Sequence, residues 1–241
     1  MNTRPARVYL YAIVDSDFVL RAPVAGFAET PVTLLPVQTL AAVVSPIALE
    51  QLKDTAAAAL VHERVVETLM AERRVLPVRF GAIFSSTATL TAALEDRHAT
   101  LRADLERLDG LVEIGVRVLW DGAARRAAVT TVTPADAHDG PGAQYMRARM
   151  AEMTTDRQLK ADATALSAAW AEYLAPHVVG LREQVLVTAE MPVNLACLVA
   201  QAGVQRLVDA IAQYPNQAAD TRVVCTGPWP PYHFVTDAQG A

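Results

Sequence analysis

The sequence predicts an α+β protein built as two domains. Three observations carry that reading. Short apolar runs rich in β-formers alternate with stretches of helical periodicity along the whole chain. From residue 112 onward the order is β, long α, β, β, short α, β, the split βαβ order of a ferredoxin-like sandwich. The last strand is followed by a proline-braced aromatic tail that cannot fold alone and needs a domain to lie on. The expected domains are an α+β unit over 1–110 and a ferredoxin-like (βαββαβ) unit over 111–241. The second holds a long helix at about 142–174 and a C-terminal arm at 227–235.

The elements follow in order. Val8 to Val14 is a continuous apolar run of strand length, which suits a buried central strand. Residues 15–31 carry Asp, Pro and Gly and read as loop. Val32–Leu35 and Leu40–Ser45 are short strands around Pro36. Glu50 to Arg74 reads as a helix with Leu52, Ala56, Ala59, Val66 and Met70 on one face. Glu63 falls on that stripe, where a carboxylate needs a partner or a raised pKa. Arg79 is the candidate, giving a buried structural pair; a solvated Glu63 is the alternative. Thr87 to Leu108 is a second helix, striped by Leu90, Leu94, Leu101, Leu105 and Leu108, with Arg97 on the same side. That stripe is a core face or, broken by Arg97, a partner groove.

Val112, Ile114, Val116, Val118 and Trp120 alternate on one face of the next strand, with Glu113 and Arg117 on the other. Residues 121–141 are mixed, with some strand character at Ala128–Thr133. The long helix opens at Pro141. Its second half carries the stripe Leu159, Ala163, Leu166, Trp170 and Leu174; Met146, Met150 and Met153 lie on a different face of its first half. Methionines at this spacing are plain core or an adaptable binding surface. Gln184–Ala189 and Val193–Val199 are strands, Gly203 to Tyr214 a short amphipathic helix, and Arg222–Cys225 the last strand. Gly227 is expected to break it. Beyond it Pro228, Pro230 and Pro231 stiffen the chain around Trp229, Tyr232 and Phe234. This arm staples the C-terminus to its own domain, contacts a partner, or does both.

Composition narrows the function. The 241 residues are 52% hydrophobic but only 6% aromatic, so alanine and aliphatics carry much of the apolar count. A net charge of −5 argues against non-specific nucleic-acid binding, which needs a basic face. The apolar run after Arg4 and Arg7 ends at Asp15 and makes a poor signal peptide. Prolines interrupt the uncharged run from Thr30 to Leu49, so no membrane span is expected. Cys197 and Cys225 form no disulfide framework, and a cytosolic compartment fits. In a ferredoxin-like sheet they are expected at opposite edges, beyond bridging distance.

The sequence carries no complete catalytic or metal-binding motif. His62-Glu63-Arg64-Val65-Val66 begins like a zinc-protease helix but lacks the second histidine. Asp136, His138 and Asp139 crowd a loop with no fourth ligand nearby. There is no phosphate-cradling glycine loop and no nucleophile elbow. No catalytic residue, cofactor or metal is therefore assigned.

Several blocks, in order along the chain, resemble the gas vesicle F/L (GvpF/GvpL) family. They are YLYAI at 9–13, HERV at 62–65 with LPVRFG at 76–81, EIGVRVLW at 113–120, the region of Gly142, Tyr145 and Arg149, and GPWPPYHF at 227–234. Residues 121–141 and 175–220 show little of that signature. The resemblance implies a minor, accessory gas vesicle component, cytoplasmic and vesicle-associated, that takes part in assembly and contacts the small shell-forming protein. Other accessory proteins are further candidate partners. A shell that excludes water needs an apolar inner face, and its free subunit would aggregate unless covered. A non-enzymatic binder that shields or nucleates that subunit is the expected function. Its candidate contacts are Trp229, Pro230, Pro231, Tyr232 and Phe234 of the arm, Met146, Met150 and Met153, and a sheet edge. The alternatives are a ligand-binding sensor of ferredoxin-like type and, third, an enzyme whose site assembles from distant residues.

Overall fold

The structure is a computed structural model that describes residues 7–71, 74–129, 140–185, 191–215 and 220–236. The chain forms two compact units. One comprises 1–113 together with 229–241, and the other 114–228.

In the first unit, β1 (Arg7–Asp15) is the central strand, buried from Val8 to Val14 as its unbroken apolar run predicts. It pairs antiparallel with β3 (Leu40–Ile47), which pairs with β2 (Thr33–Val37). On its other side it pairs with the short strands β4 (Leu76–Pro77) and β5 (Ile83–Phe84). The sheet order is β2-β3-β1-β4, with β5 also on β1. Pro36 is tolerated because β2 is an edge strand. Helix α1 (Thr55–Met70) is N-capped by Asp54, whose carboxylate accepts the Ala57 N–H. Its buried residues are Ala58, His62, Val65, Val66 and Leu69, which join Tyr9, Tyr11, Phe27 and Val43 in one core.

This inner face is rotated from the predicted one. Alanines run from Ala56 to Ala59, so hydrophobicity alone barely distinguishes the sides of this helix, and His62 takes the place assigned to Glu63. The leucine stripe is core: Leu90, Leu94, Leu101, Leu105 and Leu108 are all buried. It spans two helices, α2 (Thr87–Asp96) and α3 (His98–Arg107), separated at Arg97 by non-helical backbone.

The second unit holds most of β6 (Leu111–Trp120), then α4 (Gly122–Val129), α5 (Pro141–Leu174), β7 (Gly180–Val185), β8 (Val193–Ala200), α6 (Val204–Ala212) and β9 (Thr221–Trp229). Its sheet order is β7-β8-β6-β9. Helix α4 occupies part of the stretch read as mixed; residues 130–139, with the Asp136, His138 and Asp139 loop, lie outside the described residues. Cys197 lies on the interior strand β8, while Cys225 is on the edge strand β9. The predicted opposite-edge placement is thus corrected. With β6 between them their strands stand about 10 Å apart, still beyond disulfide reach. The rear half of α5 packs through Leu159, Ala163, Trp170 and Leu174, and Trp170 stacks on Tyr214 at 3.8 Å between ring centroids.

Two further expectations are revised at the C-terminus. Gly227 does not end the last strand, because β9 continues to Trp229; an edge strand accommodates Pro228. The residues beyond belong to the first unit rather than the second.

Candidate functional site

The arm is fixed by hydrogen bonds at successive residues. Pro230 and Pro231 are buried, and a short 3-10 turn, Tyr232–Phe234, closes through Phe234 N–H to the Pro231 carbonyl. Phe234 is only 5% exposed. The buried carboxylate of Glu113 accepts the His233 backbone N–H at 3.0 Å and pairs with His233 Nδ1 at 2.7 Å. Asp104, also buried, accepts the Thr236 N–H at 2.6 Å and its hydroxyl at 2.9 Å, while Arg107 donates to Asp104. Arg107 also donates to the Phe234 carbonyl at 2.7 Å, and Arg97 to the Thr236 carbonyl at 2.9 Å. Buried carboxylates persist where charge-assisted donors surround them, and here the donors are the arm's own backbone.

Tyr232 reaches furthest inward. Its hydroxyl lies 3.3 Å from His62 Nε2, while Tyr9 Oη lies 2.9 Å from His62 Nδ1. Tyr9 Oη also accepts the Gly81 N–H at 3.0 Å. Tyr11 stacks on the His62 imidazole, bonds Ser45 Oγ and receives the Phe27 N–H. Gly26 permits this approach, because a Cβ there would stand 2.4 Å from Tyr11 Oη. Burial pushes the His62 pKa down to about 4 and that of Tyr9 up to about 12. Burial also raises Tyr232 above the ordinary phenol range. A neutral imidazole has one donor and one acceptor, and two phenols flank it. The cluster is a network of buried and half-buried rings, with the Val78 backbone a further partner of His62. It joins residues far apart in sequence, from Tyr9 through His62 to Tyr232.

Glu63 and Arg79 form no salt bridge with each other. Burial and the neighbouring Glu67 carboxylate raise the Glu63 pKa, with no cation acting on it. Among the described residues no group of three or more His, Cys, Asp or Glu could hold a metal ion. No helix there is long and apolar enough to cross a membrane.

The second unit presents a different surface. Every described side chain of α5 from 142 to 154 is exposed, and the first buried one is Thr155. Tyr145 is 69% exposed, Met146 58%, Met150 62% and Met153 54%. The helix has 34 residues, about 51 Å at 1.5 Å each. An eight-residue strand such as β8 spans only about 26 Å. The sheet therefore supports only the rear half of α5.

A family model described as gas vesicle synthesis protein GvpL/GvpF matches residues 7–236. The chain belongs to the GvpL/GvpF family. It is 29% identical to gas vesicle protein F2 of Halobacterium salinarum over 240 residues, covering 98% of this chain and 95% of that one. It is 34% identical to gas vesicle protein L of a Streptomyces species over 206 residues, 79% of this chain and 73% of that one. The crystal structure of the gas vesicle protein GvpF from Anabaena matches its fold with a TM-score of 0.76 at 20% identity, covering 98% of each chain. That of GvpF from Microcystis aeruginosa gives 0.72 at 19%, covering 96% of this chain and 99% of that one. A GvpL/GvpF member is thus associated with gas vesicles, and its two antiparallel sheets are those of the solved GvpF fold.

The residues singled out from sequence are distributed unequally. Pro230, Pro231 and Phe234 are buried and Tyr232 is half-buried, all within the arm's own unit. Met146, Met150 and Met153 are exposed. Sequence reasoning missed His62, Asp104 and Glu113 as the arm's receptors. The available signals were a histidine on an apolar helix face and an acid directly preceding Ile114.

Proposed function

We propose that this GvpL/GvpF protein is a non-enzymatic, cytoplasmic accessory factor that binds the small gas vesicle shell protein during assembly. It shields the apolar surface of that subunit or helps nucleate the shell. The exposed Tyr145, Met146, Met150 and Met153 face of α5 carries this reading. A helix that buries none of its described side chains over 142–154 gains little from tertiary packing there, and a partner seated on that face would supply it. Methionines adapt to varied apolar shapes, and the tyrosine adds a large rigid contact. The helix presents these side chains to an apolar segment of the shell subunit, a helix-on-helix or helix-in-groove contact. The arm is the support of the first unit, and the βαββαβ second unit, which we read as ferredoxin-like, is the platform for α5.

Co-expression with the shell protein tests the proposal. A complex that co-purifies, and vesicles that fail to form when this chain is deleted, support it. Shell protein that never co-purifies, with normal vesicles in the deletion, refutes it.

A further inference from the structure

The first unit contains a pocket of about 240 Å³ bounded by β1, β4, β5, the helices α2 and α3, and the arm. Leu10, Phe84, Leu94 and Leu101 line it, and Val235 of the arm contributes to its wall. It is half open to solvent, so a ligand can enter it without any rearrangement of the core. At about 30 Å³ per water it has room for about eight. Its wall is mostly aliphatic and aromatic, with Arg79, Arg97, Tyr232 and Thr236 as the polar members, so an occupant with an apolar body and a polar head suits the space. Arg97 also lines the cavity. Its guanidinium makes a single hydrogen bond, to the Thr236 carbonyl, and no salt bridge among the described residues. Five donors on a planar cation match a carboxylate bidentately.

We propose that this cavity binds a small amphiphilic carboxylate, with a short apolar body among the leucines and its carboxylate on Arg97. Neither the surface of α5 nor the shell protein is needed for this binding. The site would let a metabolite consolidate the arm, because Val235 and Thr236 line the same space.

Titration calorimetry of the full chain with octanoate, and with octanol as its neutral counterpart, tests the site. Octanoate is expected to bind saturably and about tenfold more tightly than octanol, the contribution of one charge-assisted pair. Arg97→Gln removes that tenfold difference and leaves octanol binding unchanged. Ala93→Phe places a ring in the cavity and abolishes both. Circular dichroism reports whether that variant folds; Ala82→Leu, smaller and also on the lining, gives the same reading if it does not. No saturable binding overturns the proposal. So does equal affinity for the two probes, or octanoate binding that survives both cavity-filling variants. All of these readouts are independent of shell-protein capture, so this site and the proposed function stand or fall separately.

Discussion

The C-terminal arm and the front of α5 are both rich in large apolar side chains, yet the fold uses them in opposite ways. The arm carries Trp229, Tyr232 and Phe234, and its backbone is held by Asp104, Glu113 and Arg107. The front of α5 carries Tyr145, Met146, Met150 and Met153 and leaves all of them exposed. The difference lies in the backbone. Prolines remove donors and fix φ, so the arm's few remaining N–H groups must be satisfied: the buried carboxylates accept those of His233 and Thr236, and the arm's own carbonyls those of Tyr232 and Phe234. A helix satisfies its own backbone and can stand away from the core with its side chains free. Apolar content therefore does not by itself separate a buried arm from an exposed helix face; the routing of the backbone hydrogen bonds does.

The largest expected effect lies in the arm. Phe234→Ala should cost about 3–5 kcal/mol, read as a lower urea midpoint. The triple variant Met146→Ala, Met150→Ala, Met153→Ala should stay within about 0.5 kcal/mol per site while losing shell-protein binding. A large stability loss in the triple variant would erase the contrast. Next, stability should fall on acidification. His62 titrates near 4 in the folded chain and near its ordinary value of about 6.5 when unfolded. Between those values the unfolded state binds the extra proton. The stabilisation of neutral His62 is therefore complete above pH 6.5 and is lost progressively down to about pH 4, by up to about 3 kcal/mol. Denaturation across this range should show the fall, and His62→Phe should flatten it. Asp104→Ala, which strands the Thr236 donors and Arg107, should cost about 2 kcal/mol and speed amide exchange in the arm. Smallest of all, Glu63→Gln should leave stability within about 0.5 kcal/mol. A loss of several kcal/mol would restore the discarded ion pair with Arg79.

What was legible in the sequence was local. The unbroken run of β1, the leucine stripe and the apolar face of β6 each bury what their periodicity predicts, and the rear of the long helix buries Leu159, Ala163, Trp170 and Leu174 while Leu166 is half-buried. The failures are of range or contrast. His62 meets Tyr232 across 170 positions, and no periodicity reports such a pairing. Glu113 sits at a polar position of an alternating strand, yet it is buried because the arm covers it. In α1 the alanine run blurs the inner face, so periodicity puts Glu63 where His62 belongs. The methionine face could be read from sequence as core or as surface, and only the mismatch between helix and strand length decides for surface.

Amide hydrogen exchange on the full chain, with and without the shell protein, tests the central claim most directly. Residues 142–154 should exchange fast in the free chain and at least tenfold more slowly in the complex, while 230–236 exchange alike in both. Protection that appears in the arm and leaves 142–154 unchanged would contradict the account.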